Sequence, residues 1–126
     1  MKTVAVDFDG VVHRYSRGWA DGTIYDPPVE GAFEALRQLL RHHAVFVFTT
    51  RDAGQVGAWL RERGGFEVAT DPASVVTFWD TPNVLLVTDR KLAAVAYIDD
   101  RAIRFEDWDQ ALDDLGDLET WGKVVR

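Results

Sequence analysis

Apolar residues in this chain gather in short runs, and the runs alternate between two periods. Thr3-Val-Ala-Val-Asp7, Ala44-Val-Phe-Val-Phe48, Val84-Leu-Leu-Val87 and Ala94-Val-Ala-Tyr-Ile98 are almost unbroken apolar segments rich in β-branched and aromatic residues. Runs of this length predict strands, and Ala44–Phe48 has the near-continuous apolar pattern of a strand buried on both faces. Between them the spacing changes. Val29, Phe33, Leu36 and Leu40 recur at helical intervals behind Pro27-Pro28, a pair that suits a first turn, so a helix is predicted from near Val29. A second helix is predicted from about Gly54 to Arg63, stopped by Gly64-Gly65. Trp108, Leu112 and Leu115 share one face of a short helix over 107–115. Residues 11–28, with Gly18, Gly22 and the proline pair, read as an irregular loop. Residues 66–82 stay ambiguous, with Phe66-Glu-Val68 and Val75-Val-Thr-Phe78 as candidate short strands. Alternating strands and helices predict an α/β fold, a three-layer Rossmann-like parallel sheet with helices on both faces. No repeat or linker divides residues 1–126.

Composition narrows what such a domain does. A chain of 126 residues that is 47% apolar has room for one core. The net charge of -7 weighs against a nucleic-acid backbone as partner, although a bound cation would invert the local field for a small anion. Without cysteine there is no disulfide, no zinc-thiolate site and no thiol nucleophile. No basic-then-apolar leader and no apolar run near the ~20 residues of a membrane span are present. The expectation is a soluble cytoplasmic protein with no membrane partner.

The chemistry concentrates at strand ends. The first run closes in Asp7-Phe-Asp9-Gly10, and side chains at i and i+2 of a strand leave on the same face, ~7 Å apart. Ligands of parallel α/β sheets bind at that carboxyl edge. Tyr97-Ile98-Asp99-Asp100 repeats the arrangement at a second strand end. If the two strands are neighbours, Asp7, Asp9, Asp99 and Asp100 converge, and like charges that close need a counter-ion. A hard divalent cation with oxygen ligands fits, and Mg2+ suits few carboxylates, waters and a substrate phosphate. The competing reading is a set of solvated turn-forming acids. Two further features suit a phosphate. Thr49-Thr50-Arg51 follows a strand with hydroxyls, N–H groups and a guanidinium, though such a pair also serves as a helix cap. Lys91 is the lysine away from the ends of the chain, since Lys2 and Lys123 lie near the termini, and it offers a compact positive charge unless it is merely solvated.

In this order, Asp7-Phe-Asp9-Gly10, Thr49, Lys91 and Asp99-Asp100-Arg101 resemble the four motifs of the haloacid dehalogenase-like hydrolase superfamily. The resemblance spans residues 3 to about 105 and is nearest to small bacterial and phage members that lack a cap domain. It implies an Mg2+-dependent phosphomonoester hydrolase that works through a covalent aspartyl-phosphate on a small phosphorylated substrate. It further implies that Asp7 is the nucleophile and a metal ligand. Asp9 is implied as the general acid and base that also meets the metal through its carbonyl. Thr49 and Lys91 are implied to hold the transferring phosphoryl, and Asp99 and Asp100 to complete the metal shell directly or through water.

The match departs from the pattern at Val11, where many members carry Thr, and either Thr49 or Thr50 can be the second-motif residue. Arg51 and Arg101 are candidates for substrate binding or for structural pairing. The gaps before Thr49 and before Lys91 are filled by the loop and helices already assigned, which leaves no room for a cap. The site is therefore expected to be open, shielded by the 11–28 loop or by a neighbouring subunit of a homo-oligomer. His13, Arg14, Tyr15, Arg17 and Trp19 make that loop aromatic and basic, either a substrate-recognition flap or a loop packing its own rings. Other functions stay open: a nucleotide or nucleic-acid-end phosphatase, a phospho-switch, or a non-catalytic protein-binding scaffold. Against a receiver-type switch, Asp-x-Asp comes first here and Asp-Asp last.

Overall fold

The apolar runs at 4–6, 44–47 and 85–87 form the centre of the molecule, buried on both faces of the sheet, whereas the run at 94–98 becomes an exposed edge strand. A computed structural model describes residues 2–120. Its strands are β1 (Thr3–Asp7), β2 (Ala44–Phe48), β3 (Val68–Thr70), β4 (Leu85–Thr88) and β5 (Ala96–Ile98), and its helices are α1 (Ala32–His42), α2 (Ala53–Gly64) and α3 (Trp108–Thr120). The sheet has the order β3-β4-β2-β1-β5, and every pairing is parallel.

Strand periodicity divides the core in two. Val4, Val6, Val45, Val47, Leu85 and Val87 face one way and pack with Leu36 of α1 and with Val56, Trp59 and Leu60 of α2. Ala5, Phe46 and Leu86 face the other way, onto Leu92, Val76, Trp79 and Ala94. Those last four come from the connections at 71–84 and 89–95, so the second face is covered by loop segments where a helical layer was expected. The physical reason is in their sequence. Pro72 and Pro82 interrupt the first connection, and the seven residues of the second, extended at ~3.3 Å each, reach back along the sheet without a helix.

Element ends follow local chemistry. α1 starts at Ala32, later than the spacing predicts, because Val29 N–H is spent on Val12 O at 2.8 Å and Gly31 turns the chain at φ 80. Asp52 caps α2 by accepting Gln55 N–H at 2.9 Å, and Gly65 ends it in the left-handed region at φ 68. Of the two ambiguous segments, β3 begins only at Val68, and 75–78 is not a strand. Asp71 takes the N–H groups of Val75 and Val76, which bends that segment away. Desolvation pushes the buried Asp71 carboxyl up, but those bonds, the Thr88 hydroxyl at 3.0 Å and the Arg90 charge outweigh it and hold it below its usual range. Trp108, Leu112 and Leu115 share a face of α3 as the spacing predicts, yet all are exposed, Trp108 to 71%. No helix among the described residues is long and apolar enough to cross a membrane.

Gly57 sets how closely α2 approaches the sheet. A Cβ there would lie 2.8 Å from Thr70 Cγ2 and 3.3 Å from Val68 Cγ1, both on stiff β-branched side chains. Helix propensity alone would make Gly57→Ala stabilising by about 1 kcal/mol, whereas overpacking costs about 1–3 kcal/mol. The variant is expected to lose about 1 kcal/mol in urea unfolding; a gain in stability would contradict the packing described.

Candidate metal and phosphate site

β1 lies between β2 and β5 in a register that pairs Asp7 with Phe48 and Val6 with Ile98. Asp7 and the residues after Ile98 therefore leave the sheet at one level, on adjacent strands. Ligand atoms of Asp7, Asp99 and Asp100 lie within 4.8 Å of one another. Backbone donors orient two of the three, with Phe8 N–H to Asp7 Oδ1 at 3.0 Å and Arg101 N–H to Asp99 Oδ1 at 2.7 Å. Arg101 Nε is 3.9 Å from Asp100 Oδ1. Gly10 is required beside them, because its φ is 86 and a Cβ would collide with the Asp100 carboxylate.

The acids repel, and Asp7 registers it. Half-burial, then the charge of Asp99, then those of Asp100 and Asp9 lift its pKa from 3.8 to about 6, against the pull of Phe8 N–H. No Lys, Arg or His makes an ion pair with Asp7 among the described residues. Among the described residues Asp7 and Asp99 have no ion-pair partner and Asp100 has only the exposed Arg101 at 3.9 Å, and three carboxylates with so little counter-charge, all hard oxygen donors, suit Mg2+ or a similar cation. Asp7, Asp99 and Asp100 are the side chains that could hold it.

Asp9 is turned elsewhere. His13 is fully buried, and its Nε2 accepts Asp26 N–H at 3.1 Å, which places the ring proton on Nδ1 for donation to Asp9 Oδ1 at 2.8 Å. Arg51, 4% exposed, donates from Nε to Asp9 Oδ2 at 2.9 Å and Oδ1 at 3.1 Å, and from Nη1 to Gly22 O at 2.5 Å and Thr23 O at 3.3 Å. Its Nη2 is buried without a partner. His13 and Arg51 are thus interior residues that fix Asp9 and the 11–28 loop. Of the two roles open to Arg51 the structure shows the structural pairing, and His13 is buried among the loop's own rings instead of facing a substrate. Burial in turn makes the pairing necessary, since an unpaired guanidinium is costly there.

An open cavity of about 180 Å3 adjoins the acids, bordered by Asp7, Asp9, Thr49, Thr50, Trp19 and Arg101 among others. Thr49 is buried, and its Oγ1 accepts Arg51 N–H at 3.0 Å, leaving its O–H to donate; Thr50 is exposed. Both threonines reach the cavity, so geometry does not choose between them. Lys91 is exposed, with Nζ 5.6 Å from the Phe48 ring centroid, and it makes no ion pair among the described residues. Arg14 and Arg17 do not border the cavity. Arg17 instead lies 4.2 Å from the Tyr25 ring centroid, and Arg14 N–H donates to Pro27 O at 3.2 Å. The loop therefore packs much of its own aromatic and basic content, and Trp19 and Tyr15 are its side chains at the cavity. The Asp9–Arg51 pair, 42 residues apart in sequence, had no local signal.

Two outcomes follow from this geometry. Below pH 3.8 the Asp7 carboxyl is protonated folded or unfolded, and between 3.8 and about 6 only the folded chain keeps the proton, so its contribution to stability is lost as pH rises through about 6. The nominal size is about 3 kcal/mol, reduced by solvent screening of a half-buried group to about 1 kcal/mol. In metal-free buffer Asp7→Asn should therefore be more stable than the wild type at pH 7.5 and should lose that advantage by pH 3.5. Equal urea midpoints at both pH values would contradict it. The second outcome concerns the loop, where each charged hydrogen bond from Arg51 contributes about 1.5–3 kcal/mol. Arg51→Ala should speed tryptic cleavage after Arg14 and Arg17 by about tenfold, and an unchanged rate at those bonds would show that Arg51 does not hold the loop.

Comparison with family models, with curated proteins and with solved structures yields no match, so any function must be inferred from the site itself.

Proposed function

We propose that this chain is an Mg2+-dependent phosphomonoester hydrolase with a haloacid dehalogenase-like core, no cap domain, and a covalent aspartyl-phosphate formed on Asp7. The observation that carries the reading is the convergence of Asp7, Asp99 and Asp100 within 4.8 Å at the carboxyl ends of two adjacent parallel strands. Thr49 and an open cavity beside them supply a donor and a place for the phosphate. When bound, Mg2+ would neutralise these carboxylates and draw charge from a phosphoryl oxygen.

The residues divide the remaining work. An Asp7 oxygen attacks phosphorus while the bond from phosphorus to the leaving oxygen breaks, and that oxygen takes a proton from Asp9. Water then attacks the aspartyl-phosphate, gives its proton to Asp9, and frees phosphate and the Asp7 carboxylate. Both Asp9 oxygens accept hydrogen bonds here from His13 and Arg51, so either proton transfer requires the carboxyl to turn off Arg51. Thr49 O–H donates to the phosphoryl oxygens, and Lys91 moves from Phe48 to offset their charge.

A second reading is a non-catalytic scaffold or phospho-switch, favoured by Asp9 tied to Arg51 and by Lys91 lying over Phe48. One assay separates the two. Purified protein with Mg2+ should hydrolyse phenyl phosphate and lose the activity in EDTA. Asp7→Asn should lower turnover about a thousandfold or more, and Asp9→Asn about 10²- to 10⁴-fold. No Mg2+-dependent turnover across a panel of phosphorylated metabolites would favour the scaffold.

A further inference from the structure

Phosphate chemistry leaves one wall of the cavity unexplained. Tyr15 and Trp19 border the same space as Asp7, and neither ring takes part in neutralising or transferring a phosphoryl group. Trp19 is 49% exposed, yet it is not a loose surface ring. The Arg51 guanidinium covers one side at 4.4 Å from the ring centroid. The Gly22 backbone packs on the indole so closely that a Cβ there would come within 3.4 Å of Cζ2. Gly22 N–H also donates to Trp19 O at 2.9 Å.

The backbone around these rings is equally committed. Tyr15 has φ 59 and Ala20 has φ 51, a left-handed conformation that side-chain-bearing residues seldom adopt. Tyr15 stays there with its ring against His13, at 5.9 Å between centroids, and beneath the Arg101 guanidinium at 5.9 Å. A loop serving only as a connection would place glycine at such a position. The cavity, at about 180 Å3, is smaller than the ~300–1,000 Å3 of sites that enclose a whole ligand. A group bound there lies against the wall with its outer edge in solvent.

We propose that Trp19 and Tyr15 form a stacking subsite, and that the organic part of the substrate is an uncharged planar aromatic group, either a nucleobase or a simple aryl ring. The acids of the site disfavour a second anionic group, and rigid, partly exposed rings favour a flat one. The inference rests on the hydrolase reading for the phosphate end alone; the planar end rests on the wall.

The test pairs turnover with binding. With Mg2+, kcat/KM is measured for phenyl phosphate, a nucleoside 5′-monophosphate and glycerol 3-phosphate. Trp19→Ala should lose about tenfold more on the planar substrates than on glycerol 3-phosphate, and Trp19→Phe should recover most of that difference. The two planar substrates tell a nucleobase from a simple ring. Equal losses on all three would overturn the proposal. Binding of phenylphosphonate and methylphosphonate, which are not hydrolysed, is followed in parallel by saturation-transfer NMR, with thermal melting as the folding control. Phenylphosphonate should bind more tightly than methylphosphonate, and Trp19→Ala should remove the difference. If that holds while no phosphate ester is turned over, the hydrolase reading fails and the subsite stands. Equal binding of both phosphonates, or a preference that survives Trp19→Ala, overturns the subsite whatever the turnover.

Discussion

Parallel pairing of β1 with β5 forces Asp7, Asp99 and Asp100 into one small volume against their mutual repulsion. The force that holds them is not local to the acids. It comes from the buried residues of β1 and β2, which lock the centre of the sheet and leave Asp7 no other place to go. The repulsion acts most on the weaker partner, because β5 is a three-residue edge strand whose side chains are all exposed. A cation shared by the three carboxylates would therefore neutralise Asp7 and tie β5 to the sheet in one event.

A second constraint runs through Asp9. Its carboxylate gathers His13 and Arg51, and through them Asp26, Gly22 and Thr23, so the 11–28 loop is built around the same short motif that supplies Asp7. Phe8, between the two acids in sequence, stacks on His13 at 5.5 Å and meets Trp59 of α2 edge-on at 5.3 Å. Core packing, loop shape and candidate chemistry are therefore coupled in three consecutive residues. A loop held this firmly is a wall of the cavity, and any group that engages Asp9 from the cavity must compete with Arg51 for it.

The sheet was legible in the sequence because each central strand is an almost unbroken apolar run of strand length, and acids close the runs where β1 and β5 end. Asp99-Asp100 could be placed beside Asp7 on the premise that their strands are neighbours, which the pairing of Val6 with Ile98 supplies. What the sequence did not display depends on contacts between distant segments. Nothing near Arg51 indicates that its guanidinium reaches Asp9, and nothing near His13 distinguishes a buried ring from an exposed one. The loop cover on the second face escaped because 89–95 carries no period of its own, and Leu92 is buried there by position alone. The apolar stripe of α3 was legible as a stripe, but periodicity does not say whether a face finds a partner.

If the three carboxylates at this edge of the sheet hold a cation, thermal stability at pH 7.5 depends on Mg2+. Melting with Mg2+ at about ten times its Kd should raise Tm by about 4 °C, and Asp99→Asn combined with Asp100→Asn should remove the rise. A wild-type Tm indifferent to Mg2+, or a rise that persists in the double variant, would contradict it.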